Sequence, residues 1–142
     1  MPSAIYSRDI LRLASSIPHL GRLENPQASA EKSSPVCGSR VAVDLALDGE
    51  GRVAELGQEV SACALGQASA ALMGAHAVGR TGAEIGEARD SLAAYLAGRS
   101  DSPGAWPGLE VFAEARRLPV RHASILLAFD AAAEAAARAK AG

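Results

Sequence analysis

The chain has 142 residues, 49% of them apolar and 21% charged, with a formal charge of −2. That length suits one domain, residues 1–142, and the weak acidity offers no electrostatic footprint for nucleic acid or an anionic membrane surface. Only 4% of residues are aromatic, so alanine carries much of the apolar pattern and close helix packing must replace bulk.

Ser7 is placed to cap a short helix in which Ile10, Leu13, Ala14 and Ile17 share one stripe, ended by Pro18. Arg8, Asp9 and Arg12 interrupt this first stretch, so it reads neither as a secretory signal nor as a membrane span, and the cytoplasm is the expected compartment. Gly21 to Pro35 is polar, with a turn signal at Asn25-Pro26 and an edge strand expected over Ala28 to Ser33. Val41, Val43, Leu45 and Leu47 then alternate with Ala42, Asp44 and Ala46, the period of a strand with one buried face. Asp48-Gly49-Glu50-Gly51 reads as a turn. Arg52 to Val60 returns as the second strand of a hairpin, with Ala54, Leu56 and Val60 expected on one side.

After Cys63 the period becomes helical. Leu65, Ala68, Leu72, Ala75 and Val78 make a stripe that stops at Gly79. Thr81-Gly82-Ala83-Glu84 has the form of a capping box, and Ile85, Ala88, Leu92 and Leu96 form the stripe of the helix behind it. A loop with Pro103, Gly104, Pro107 and Gly108 leads to a short helical stretch through Leu109, Phe112 and Ala113. The last helix carries Ile125, Phe129, Ala132 and Ala136 on one face and ends with Arg138 and Lys140, which suits its dipole. Strands followed by helices predict an α+β fold: a small antiparallel β-sheet, hairpin plus edge strand, packed against several α-helices.

The chemistry concentrates at two cysteines. Cys37 lies in Pro35-Val36-Cys37-Gly38-Ser39, a turn before a strand, and Cys63 lies in Ser61-Ala62-Cys63-Ala64, at a helix start. Free N–H groups in both settings favour a thiolate. In a reducing compartment a disulfide is not expected, which leaves buried thiols, metal ligands or reactive thiols. A metal or cluster site needs soft donors converging from different elements. The turn, the helix start and the start of the last helix can meet at one end of the sheet, bringing together Cys37, Cys63 and His122. Ser39 is a weak further donor, because its hydroxyl must ionise or bind as a neutral group. Ligation of one ion by both thiolates brings their sulfurs within roughly 4 Å. His76 stands about 20 Å from the Cys63 end of its helix at ~1.5 Å per residue, and His19 lies in a loop.

Three segments carry a resemblance. Pro35-Val36-Cys37-Gly38, Cys63-Ala64-Leu65-Gly66-Gln67-Ala68-Ser69 and His122-Ala123-Ser124-Ile125-Leu126 are similar to the ligand frame of the iron–sulfur cluster assembly scaffolds of the NifU N-terminal, IscU and SufU type. The similarity covers Asn25 to the C-terminus, and Gly98 to Leu118 looks like the insertion of the SufU-type branch. It implies an IscU/SufU-like fold and a surface site for iron, zinc or a labile iron–sulfur cluster. It also implies partners such as a cysteine desulfurase or other assembly proteins; for a metal site short of ligands, a homodimer could help by sharing ligands across two chains. This chain departs from the family twice, with Ser39 where the family has aspartate and Ala123 where it has a third cysteine.

The expected function is that of a scaffold, not an enzyme, holding metal or cluster through Cys37 and Cys63 with His122. The alternative is a metal-free binding or regulatory partner of the assembly machinery that keeps the fold. A third reading, a thiol enzyme with Cys63 as nucleophile and His122 as base, finds no carboxylate orienter beside His122. No phosphate loop, dinucleotide fingerprint or triad signature is present.

Overall fold

A computed structural model describes residues 7–35 and 38–141. The expected hairpin is present as β2 (Ser39–Leu47) and β3 (Val53–Ser61), and β1 (Ala28–Ser34) adds to its other side, giving the antiparallel order β1-β2-β3. The alternating residues Val41, Val43 and Leu45 are fully buried on one face, joined by Ala30 from β1 and Leu56 from β3.

Two expectations for the sheet need correction. Leu47 pairs with Val53 and Ala46 with Glu55, so Ala54 is the extra residue of a bulge; it is exposed, and Val53 enters the core in its place. A one-residue insertion flips the face of whatever precedes it, and a period-2 pattern read from Leu56 backwards cannot see it. The second face of β2, moreover, is not open to water throughout. Gly21 N–H donates to Gln58 O and Gln58 N–H to His19 O, which fastens His19–Gly21 along the free edge of β3. The chain then crosses above Gly57, where any β-carbon would meet Gly21 O at 2.6 Å, and seals Asp44 beneath it.

The first helix, α1 (Arg8–Ala14), begins as expected with Ser7 Oγ accepting from Ile10 N–H at 3.3 Å. It ends before Ile17, with Ser15 as its C-cap: Ser15 N–H still reaches Leu11 O at 3.2 Å, but Ser16 N–H turns to Leu13 O at 3.1 Å, and the residues ahead of Pro18 leave the helix. In α2 (Ala64–His76) the expected single stripe is replaced by burial nearly all round: Leu65, Gly66, Ala68 to Gly74 are buried, while Ala75 and Val78 are exposed. The helix is enclosed by α1, the last helix and β3, and glycine and alanine let neighbours approach on any side. In α3 (Gly82–Leu96) both halves of the capping box form, and Ile85, Ala88, Leu92 and Leu96 are buried as their spacing requires.

Leu109–Arg117 is a 3₁₀ segment, so its buried residues are Leu109, Phe112 and Ala115 at a period of three, and Ala113 is exposed. The loop before it is pinned by Trp106, whose indole N–H donates to Leu72 O at 2.9 Å and whose ring meets Phe129 edge-on at 5.3 Å. The last helix, α4 (Pro119–Ala141), lies across β1 and β2 and also contacts α2 and α3. Its residues Ile125, Phe129, Ala132 and Ala136 are buried, together with Ala128, Ala131 and Ala135, so it is the axis of the core.

Candidate functional site

The start of β2, the end of β3 and the start of α2 come together at one end of the sheet. Arg40 at the beginning of β2 pairs with Ser61 at the end of β3, and two residues later Cys63 occupies the N-cap of α2. Gly38, Ser39, Ser61, Ala62 and Cys63 line an open depression of about 180 Å³. Gly38, the residue bonded to Cys37, has φ +67°, a conformation that glycine adopts without the cost a β-carbon would bring. Cys37 itself lies outside the described residues.

Cys63 is half-buried and is a free thiol. Burial pushes the thiol up, but the Ser124 hydroxyl, the N–H groups of Gly66 and Leu65 and the charge of Arg121 outweigh it, and the net effect is to lower it below the ordinary thiol value. Its side chain makes no capping hydrogen bond. Sγ lies instead 3.4 Å from Ser124 Oγ, which in turn lies 3.0 Å from Ser39 Oγ. Ser39 thus turns its hydroxyl inward, at 2% exposure, to a partner on α4.

His122 is half-buried near the start of α4, and its Nε2 lies 2.9 Å from Ala115 O. A carbonyl only accepts, so Nε2 donates to it, which leaves Nδ1 as the ring nitrogen available to a metal. An imidazole held through one nitrogen and free at the other is the usual state of a histidine that ligates metal. Ala123 next to it is exposed and offers a methyl group. The other two histidines stand apart: His76 meets the Trp106 ring edge-on at 6.3 Å, and His19, with φ +60°, belongs to the strap along β3. Among the described residues no three His, Cys, Asp or Glu side chains gather as a metal-holding group.

Sequence reasoning passed over Ser124 and Arg121 as site residues. The signal for Ser124 was its place directly before Ile125, on the buried side of an amphipathic helix, where a hydroxyl needs a partner. Arg121 carried no such signal, since its influence on Cys63 depends on how α4 is set against α2.

A family model for the NifU-like N-terminal domain matches residues 5–100. The chain belongs to this NifU-like family. Among solved structures, a nitrogen-fixing NifU-like protein (N-terminal) from Brucella abortus is 36% identical, with a TM-score of 0.91 over 97% of this chain and 96% of that one. A putative iron–sulfur cluster assembly scaffold protein for the SUF system from Fervidobacterium islandicum AW-1 is 23% identical, with a TM-score of 0.85 over 93% of this chain and 96% of that one. Comparison with curated proteins returns no match. The antiparallel three-stranded sheet backed by helices in this NifU-like chain is therefore the fold of both structures. None of its helices among the described residues is long and apolar enough to cross a membrane.

Proposed function

We propose that this NifU-like chain is an iron–sulfur cluster assembly scaffold, a single domain over residues 1–142 that carries its cargo instead of turning over a substrate. The cargo is iron, zinc or a labile cluster, held by Cys63 and Cys37 with the Nδ1 of His122. The observation that carries this reading is the Cys63 thiol at the N-cap of α2, biased toward the thiolate and opening on a depression whose other wall is Gly38, the neighbour of Cys37. Thiolate and imidazole donors fit iron and zinc, and an open site suits a cargo that must leave again.

With Ala123 and Ser39 in place of stronger donors, this frame holds metal less firmly than a full set of ligands would. Structural zinc sites release roughly 10–16 kcal/mol on binding, and the loss of two anionic donors removes several of these. A cysteine desulfurase or another assembly protein is the partner this role requires, in the cytoplasm, and a second copy of the chain is a further source of ligands.

The test is anaerobic reconstitution with iron and sulfide of the wild type, C37S, C63S and the double variant. The wild type should retain iron and gain a thiolate-to-iron absorption that each single variant loses. A wild type indistinguishable from the double variant removes the proposal. The exposed methyl of Ala123, standing where the family carries a cysteine, favours a second reading as a metal-free docking module. In that case the double variant still binds the desulfurase as the wild type does.

A further inference from the structure

Ser39 and Ser124 are two fully enclosed hydroxyls, at 2% and 0% exposure, brought from the start of β2 and the second turn of α4 to the back of the Cys63 sulfur. A serine within a helix ordinarily returns its proton to a carbonyl of the preceding turn. Among the described residues, the hydrogen bonds of Ser124 Oγ run instead to Ser39 Oγ at 3.0 Å and Cys63 Sγ at 3.4 Å. Room for this is built into the packing. A β-carbon on Gly66 would come within 2.7 Å of Ser124 Oγ and 3.2 Å of Ser124 O, so α2 and α4 approach this closely only because residue 66 has no side chain.

The direction of the protons follows from counting. Each serine has one proton to give, and a thiolate that binds cargo can only accept. Ser124 therefore donates to Cys63, and its oxygen is left to accept from Ser39. We propose that Ser124 is a positioning residue for the Cys63 sulfur and that Ser39 acts behind it, the pair holding the sulfur toward the depression and donating to it when it carries metal. This rests on the functional reading above for its purpose, but the hydroxyl contact is testable without metal. A hydrogen bond to a ligating sulfur draws charge from it, restrains its orientation and changes the energy of its bond to metal, as outer partners of metal ligands do. It also assigns Ser39 a task in this chain that an aspartate ligand would not perform.

Two measurements on the full chain decide it. In C37S the S–H stretch comes from Cys63 alone, and the metal-free thiol, unlike the metal-bound thiolate, has a proton of its own to give to Ser124 Oγ across the same 3.4 Å contact; S124A should move the band to the position of a free thiol, and S39A should move it in the same direction by less. S69A is the control: it deletes another buried hydroxyl of the α2–α4 contact, one that donates to Ile125 O and does not touch Cys63, and should leave the band in place. With Co²⁺ as probe, S124A in the otherwise unchanged chain should bind about tenfold more weakly. Its thiolate-to-cobalt band should shift to lower energy. An S–H band unmoved in both S124A and S39A, or moved as far by S69A, overturns the relay, and if S124A folds poorly S39A alone decides. A wild type that takes up no Co²⁺ overturns the functional reading instead, and the S–H band still decides whether the hydroxyls hold the sulfur.

Discussion

Asp44 is an ionised carboxylate at 1% side-chain exposure, and everything around it serves to keep it so. Arg22 grips both oxygens at 2.8 Å, Ser29 Oγ donates to Oδ1 at 2.6 Å and Leu23 N–H to Oδ2 at 3.0 Å. The Arg22 hydrogen bonds pull its pKa down to about 2, against the opposing pressure of burial, with help from Ser29 and Leu23. Because the folded value lies below the unfolded one, the stabilisation is complete above pH ~4 and is lost as pH falls from there through about 2. Its size is on the order of 2 kcal/mol. Urea midpoints of the wild type should therefore fall across this window. Asp44→Asn should be less stable at neutral pH and lose that part of the acid limb. In the sequence Asp44 was an outward residue of an amphipathic strand. Its burial depends on a strap more than twenty residues upstream, which alternation along the strand cannot reveal.

At the scale of elements, local chemistry decided the outcome wherever the partners were close in sequence. The α3 capping box closes at 3.1 Å from Glu84 N–H to Thr81 Oγ1 and at 3.0 Å from Thr81 N–H to Glu84 Oε1. Thr81→Ala should cost about 1 kcal/mol in thermal or urea unfolding. Hydrogen exchange should rise in the first turn of α3 while the end at Leu96 keeps its protection. Where small residues dominate, the pattern loses its meaning: in α2, alanine and glycine allow contact on every face, so a stripe ending at Ala75 and Val78 was as well formed on paper as the true burial. The Leu109–Arg117 segment was legible as helical, but its three-residue winding, which exchanges Ala113 for Ala115 in the core, was not.

For the whole molecule, the core built around α4 combines many alanines with larger aliphatic and aromatic side chains, and the larger ones contribute the most packing per residue. Phe129 is fully buried, with Trp106 edge-on to its ring, and Trp106 in turn ties the 97–108 loop to α2 through Leu72 O. Phe129→Ala should cost about 3–5 kcal/mol. The loss should appear in unfolding monitored by the fluorescence of Trp106, the chain's one tryptophan. The NifU-like fold itself was legible from the order of strands before helices and from the Cys63, His122 and Gly38 surroundings. The assembly of the site was legible only as a meeting of elements at one sheet end.

What the amino-acid order determined by itself was the set of elements, their caps and the helix-start setting of Cys63, because these rest on contacts within a few residues. Only the tertiary structure decided that Asp44 is covered, that Ala54 is displaced by a bulge, and that Ser39 and Ser124 stand behind the Cys63 sulfur. Each of these joins residues 15 to 85 positions apart or turns on a one-residue shift of register, and the energies that select such arrangements exist only once the helices and the sheet have packed.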